Sequence, residues 1–172
     1  MKTSYPEEWP QFFTATINGW QPLLESNEYK NIIIQSLQYL VAGKRIQLNA
    51  FVILNNHLHL IWQAMHGHTL QKVQQSFLKF TAQKIKFDLV KNNPKILEAY
   101  KVNSADREYC FWKRRSLGIE LFSPGAFKQK LEYIHNNPVK AGLCKYPEQY
   151  YYSSAKFYHS GIDDFEMITH YQ

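Results

Sequence analysis

Two strand-like runs lie almost end to end in this chain, separated by Asn55-Asn56. Arg45 to Leu54 is one and His57 to about Gln63 is the other. Strands that close in sequence pair as an antiparallel hairpin. Asparagine tolerates a positive φ, so Asn55-Asn56 is expected to form a two-residue turn of the primed type. That register sets Leu54 opposite His57 and Val52 opposite His59. Side chains alternate along a strand, so His57 and His59 share one face, while Leu58 and Leu60 point the other way into a core.

The flanking sequence supplies more elements. Trp9 to Asn18 is aromatic and β-branched and reads as a strand that ends near Gly19 and Pro22. Ser26-Asn27 offers an N-cap, and Glu28 to Ala42 places Tyr29, Ile32, Ile33, Ser36, Leu37 and Leu40 at helical spacing, with Gly43 as C-cap. After the loop His66-Gly67-His68, Thr69 caps a long helix from Leu70 to about Val90. Its apolar stripe is Val73, Phe77, Phe80, Ala82, Ile85 and Leu89, and Asn92-Asn93-Pro94 breaks it. A short helix and a loop both fit residues 95 to 107. Cys110 to Phe122 reads as one strand or two short ones. Ser123-Pro124-Gly125 opens a helix over about Ala126 to Asn136, which Pro138 is expected to end. From about residue 143 a turn-rich, aromatic tail has no clear period. The order strand, helix, strand, strand, helix, strand, helix predicts an α+β sandwich of ferredoxin-like kind, an antiparallel sheet with helices packed on it.

With 172 residues and no linker or repeat, the chain is expected to form one domain, residues 1–172. Twenty Lys plus Arg against 14 Asp plus Glu give a net charge of +6, which favours an anionic partner such as nucleic acid. Two cysteines, Cys110 and Cys144, are too few for a disulfide framework or a four-cysteine zinc site. The N-terminal residues lack the apolar core of a signal peptide, and no apolar run approaches the roughly 20 residues of a membrane span. These features point to the cytoplasm and away from a membrane.

Three groups of residues carry chemistry. His57 and His59 can share a metal ion, and two imidazoles make an open site with room for substrate oxygens. Tyr133 and Asn137 are four apart, on one face of a helix, where the phenol can act as nucleophile and the amide oxygen as a third ligand. Phe111-Trp112-Lys113-Arg114-Arg115 sets cations beside aromatics, as phosphate contact and base stacking require; a charged strand edge fits the same residues.

Asn56-His57-Leu58-His59-Leu60 resembles the HUH motif, two histidines around a hydrophobic residue. About 75 residues later, Tyr133-Ile134-His135-Asn136-Asn137-Pro138-Val139-Lys140-Ala141-Gly142-Leu143 resembles the signature around the catalytic tyrosine of REP-associated tyrosine transposases. These are relatives of the single-tyrosine HUH transposases of small bacterial insertion sequences. Phe111-Trp112 and Tyr152-Ser153-Ser154 add to the resemblance, which runs from about residue 10 to 158.

The resemblance implies a metal-dependent endonuclease and strand transferase acting on single-stranded DNA beside a hairpin. His57, His59 and Asn137 would hold Mg²⁺ or Mn²⁺, a nitrogen–oxygen set suited to those ions. Tyr133 would attack the phosphate and form a 5′-phosphotyrosine. A phenol ionises near pH 10, so it needs activation. Lys79, Lys113, Arg114, Arg115 and Lys140 are the expected DNA contacts. Insertion-sequence relatives carry glutamine where this chain has Asn137, and His135 or water is the alternative third ligand. Relatives occur as monomers and as homodimers, and both remain open here. A DNA-hairpin-binding protein without cleavage is a second reading, and a metal hydrolase of small substrates a third.

Overall fold

The computed structural model describes residues 8–171. Residues 1–7, which belong to the segment read as lacking a leader, and Gln172 lie outside the described residues. The elements are β1 (Gln11–Thr16), α1 (Asn27–Ala42), β2 (Ile46–Ile53), β3 (His57–Ala64), α2 (Leu70–Asn92), α3 (Pro94–Glu98), β4 (Leu117–Glu120), α4 (Pro124–Lys140) and α5 (Ala155–Ser160).

The hairpin forms with the expected register: Val52 faces His59 and Ile53 faces Leu58. The turn is of another kind. Neither Asn55 nor Asn56 has a positive φ. Their carbonyls are claimed from outside, by Leu24 N–H (2.9 Å) and Ile17 N–H (2.8 Å). Tertiary hydrogen bonds thus shape the turn where local asparagine preference suggested a primed type.

β1 enters between β3 and β4, giving the sheet order β2-β3-β1-β4 with every ladder antiparallel. This is the ferredoxin-like arrangement expected from the element order. One face carries Phe13, Leu58, Leu60 and Trp62 under α1 and α2, with Ile33, Leu37, Phe77 and Ile85 packed on it. The other carries Phe12, Ala50, Val52 and Ile61 under α4, which contributes Phe127 and Ile134. Along β2 an irregularity lies between Leu48, opposite Trp62, and Ala50, opposite Ile61. Asn49 is the extra residue, a β-bulge.

Several elements differ from the sequence reading. Phe80 is 46% exposed, although it was placed in the α2 stripe. Thr69 does cap α2, accepting from Lys72 N–H. In 110–122 only Leu117–Glu120 is a strand; upstream, Trp112 makes an isolated bridge to Ile17. α4 runs through Pro138 instead of stopping there. Proline removes only its own donor, and Ala141 N–H still reaches Asn137 O (3.0 Å) while Leu143 N–H reaches Pro138 O (2.9 Å). The proline ring is buried, and Asn137 stays on the helix one turn beyond Tyr133. The aromatic tail lies along the β2 edge. Ile53 N–H donates to Tyr152 O, Ser154 N–H to Phe51 O and Thr169 N–H to Leu48 O. An edge that would otherwise expose its backbone donors and acceptors is thereby covered.

His135 ties α4 to this tail. Its Nε2 is 2.9 Å from Ser154 Oγ, its ring lies 5.2 Å from that of Tyr158, and Ser154 Oγ in turn accepts from Phe51 N–H. Burial pushes the His135 imidazole down to about 4. Below pH 6.5 the unfolded chain takes up a proton that the folded chain refuses, so this contribution to stability falls on acidification and is exhausted near pH 4. The loss approaches about 3 kcal/mol. His135→Gln removes the titration, so its unfolding free energy in urea should fall less steeply than the parent's between pH 6.5 and 4. Parallel curves would rule out a neutral, buried His135.

Candidate active site on the sheet face under α4

Odd-numbered positions of β3 and even-numbered positions of β1 face α4, and this brings the candidate residues together. His57, His59, Tyr133 and Asn137 line one open cleft of about 550 Å³, with Phe12, Thr14, Thr16, Trp20, Leu117, Ile119 and Lys130. The rings of His57 and His59 are 4.9 Å apart, and that of Tyr133 is 5.3 Å from His59. Phe12 stacks on His59 at 5.2 Å and meets Tyr133 edge-on at 5.8 Å.

Hydrogen bonds orient both imidazoles the same way. Thr14 stands opposite His59 in the β1–β3 ladder, and its Oγ1 is 2.7 Å from His59 Nδ1. Asn56 Oδ1 is 2.7 Å from His57 Nδ1. Asn56 Oδ1 only accepts, so His57 donates from Nδ1–H; the Thr14 hydroxyl can donate to His59 Nδ1 or accept from it, and both Nε2 atoms face away from these partners. His59 Nε2 is buried and makes no hydrogen bond. A buried ring nitrogen without a partner, beside a second imidazole anchored at the same ring atom, fits a metal site with its orienting shell in place. Burial first, then the nearby His57 and Lys130, hold the His59 imidazole down at about 3, and burial also lowers His57. Both are therefore neutral at physiological pH, the form in which an imidazole can bind a metal.

No group of three or more His, Cys, Asp and Glu side chains suited to a metal exists among the described residues. A cation at the pair would complete its shell with neutral or substrate oxygens. Asn137 lies on the cleft wall and offers one. His135 does not, since its Nε2 is taken by Ser154 on the far side of the helix.

Lys130 is the single formally charged residue among those lining the cleft. Its Nζ lies 4.7 Å from the Phe12 ring centre and 5.6 Å from that of Tyr133, and Lys140 Nζ lies 5.9 Å from the same tyrosine. Lys130, Tyr133, Asn137 and Lys140 recur at helical spacing along one face, a signal by which Lys130 could have been found. Thr14, Thr16 and Trp20 carry no such signal, because strand pairing and loop placement bring them in.

The expected DNA contacts divide. Lys79, Lys113 and Arg114 line a second cleft of about 600 Å³ between α2 and residues 106–114, with Lys86 and Arg107. Arg114 is bound to Asp106 at 2.9 Å, which tempers its charge. Lys113 reaches out of that cleft to lie 5.8 Å from the Trp20 ring centre, joining it to the histidine cleft. Arg115 is exposed and lines neither. Phe111 and Trp112 differ from expectation: they are 4% and 6% exposed, and Trp112 Nε1 donates to Thr81 Oγ1 at 3.0 Å. They are core residues and cannot stack on bases. Among the described residues, no helix is long and apolar enough to cross a membrane.

Among solved structures, this chain aligns over 98% of its length with 90% of a REP-associated tyrosine transposase bound to a REP hairpin, at 16% identity and a TM-score of 0.64. A second structure, from Deinococcus radiodurans R1 and provisionally described as a transposase, aligns with 79% of this chain and 97% of its own, at 13% identity and a TM-score of 0.48. No family model and no curated protein sequence matches the chain. The chain has the fold of the first of these transposases, an antiparallel sheet with helices on both faces.

The Thr14–His59 bond is accessible to a direct test. Thr14→Val leaves a buried imidazole with neither nitrogen bonded, and should cost about 1–3 kcal/mol in urea unfolding of the metal-free protein. Thr14→Ser should recover most of it. A valine variant as stable as the parent would show that the bond contributes nothing.

Proposed function

We propose that this chain is a metal-dependent endonuclease and strand transferase of single-stranded DNA, a transposase of the single-tyrosine HUH type working beside a DNA hairpin in the cytoplasm. The observation that carries the reading is the meeting, within one chain, of a half-exposed tyrosine with two neutral histidines whose Nε2 atoms are free. The fold likeness to a transposase seen bound to a REP hairpin supports the choice of substrate.

Bound at His57, His59 and Asn137, Mg²⁺ or Mn²⁺ would supply Lewis acidity to the scissile phosphate. The chain's own residues do the rest. The Tyr133 hydroxyl attacks phosphorus, and the bond from phosphorus to the 3′ oxygen breaks. The phenolic proton ends, in net terms, on that oxygen, leaving a 5′-phosphotyrosine and a free 3′-OH. Attack by a 3′-OH on the phosphotyrosine reverses these changes and rejoins a strand without an external energy source. Lys130 and Lys140 place positive charge beside the tyrosine where phosphate charge accumulates. Lys79, Lys113 and Arg114 offer phosphate contacts in the neighbouring cleft, and Arg115 on the open surface beside it.

Incubation with a hairpin oligonucleotide carrying single-stranded flanks, in Mn²⁺, should yield a covalent protein–DNA adduct on a denaturing gel. Tyr133→Phe should abolish it. Tight binding without adduct under any divalent metal would favour the non-cleaving hairpin-binding reading. His57→Ala should reduce cleavage to background yet keep most of the DNA affinity in a gel-shift assay, since phosphate contacts come from lysine and arginine. Normal cleavage by His57→Ala would sink the metal assignment.

A further inference from the structure

We infer that Trp20 is a stacking platform for one unpaired nucleobase, the base adjoining the phosphate held at His57 and His59; this rests on the function proposed above. Trp20 is 59% exposed, whereas Trp62 is fully buried and Trp112 is 6% exposed. It forms part of the wall of the histidine cleft, its ring centre 6.3 Å from that of His57. The two rings meet at 69°, so His57 does not stack flat on the indole. Leu117 and Ile119, 55% and 38% exposed, continue an apolar rim around the same opening.

The backbone at this position is strained. Trp20 has φ 56, a left-handed conformation that bulky side chains rarely adopt, and it follows Gly19 at φ 68. Such a conformation persists only where its surroundings over-determine it, and these outliers gather at ligand clamps. Here Trp20 N–H donates to Ile17 O at 3.0 Å, Asn18 N–H donates to Phe111 O at 2.7 Å, and Asn56 Nδ2 donates to Trp20 O at 3.5 Å. Asn56 therefore binds both the Trp20 carbonyl and His57 Nδ1, tying the Trp20 backbone to the histidine. A large ring held in a strained backbone and left more than half exposed gains less from folding than a buried one. Stacking on a base gives the ring an apolar partner, and every base has a face to offer.

Charge specifies the ligand further. Lys113 Nζ lies 5.8 Å from the indole centre, and the adjoining cleft carries Lys79, Lys86, Arg107 and Arg114 against Asp106 and Glu108. Phosphates on either side of a base seated on Trp20 would meet cations in one direction and the histidine pair in the other. An aromatic platform between two phosphate sites is the arrangement that single-stranded nucleic acid requires. A duplex, its bases already stacked, would leave the indole unused.

Binding measured in EDTA, in a Tyr133→Phe background that cannot form an adduct, tests this without metal or cleavage. The probe is a fluorescent hairpin with single-stranded flanks, compared with the same hairpin trimmed blunt. Trp20→Ala should weaken binding of the flanked hairpin about 5- to 150-fold, the range for loss of one stacked base. Trp20→Phe should recover most of the affinity, and the blunt hairpin should not distinguish the variants. An abasic nucleotide at one flank position should weaken the Trp20 protein by a similar factor and leave Trp20→Ala unaffected. Equal affinity of Trp20→Ala and parent for the flanked hairpin, or an equal loss on the blunt one, overturns the platform. If Trp20→Ala does not fold, the abasic series on the Trp20 protein decides: no sensitive position means no platform. Trp20-dependent binding together with no adduct from the Tyr133 protein in Mn²⁺ would sink the nuclease reading and keep the platform.

Discussion

The bond between Thr14 Oγ1 and His59 Nδ1 exists because β1 and β3 are neighbours in the centre of the sheet, and much of the site depends on that pairing. The ladder fixes which residue stands opposite His59. The threonine holds Nδ1 of the ring, and Nε2 is left buried without a hydrogen-bond partner. Phe12, two residues before Thr14 on the same face, stacks on His59 and meets Tyr133 at its edge. One strand therefore aligns the histidine, supports its ring and seats the tyrosine. An unpaired buried nitrogen is costly in a folded protein, and such costs concentrate where a ligand will be bound.

Around this centre the chain uses rigid parts. The histidines lie on a strand with neighbours on both sides, and the tyrosine lies on a helix packed over the sheet through Phe127 and Ile134. The Asn55-Asn56 turn between β2 and β3 is held by backbone bonds from Ile17 and Leu24, and Lys30 Nζ reaches Asn55 Oδ1 at 3.4 Å. That lysine is 4% exposed, and burial lowers its affinity for a proton. Precision of this sort would serve the proposed reaction, in which an oxygen must approach phosphorus in line with the leaving group.

Strand and helix periods made much of this legible. Alternation placed His57 and His59 together and away from Leu58 and Leu60, and the spacing of four placed Tyr133 with Asn137. Hidden features were those that arise between distant segments. Nothing local marks Thr14 as the partner of His59, or Trp20 as the neighbour of His57, since both arrive through strand order and a loop. Phe111-Trp112 looked like a surface for bases because cations follow them, yet the bridge from Trp112 to Ile17 turns both aromatics inward. Pro138 looked like a stop because helix rules are local, while the packing of its ring and the bonds beyond it are not. The tail had no period because its contacts are single bonds to the edge of β2.

The extra residue at Asn49 has a consequence for how this gene can vary. Before it, the even-numbered residues Ile46 and Leu48 face α1 and α2; after it, the even-numbered residues Ala50, Val52 and Leu54 face α4. The strand is thus written in two frames of opposite parity, joined at one asparagine whose side chain also holds Thr169 O at 2.9 Å. Substitutions along β2 change one contact each, but drawing Asn49 into the ladder as an ordinary residue would exchange inside and outside for the whole segment before it, whereas deleting it would leave Leu48 opposite Trp62 and Ala50 opposite Ile61 in regular alternation. The faces taken by Ile46 and Leu48 depend on the residue at 49 staying outside the ladder.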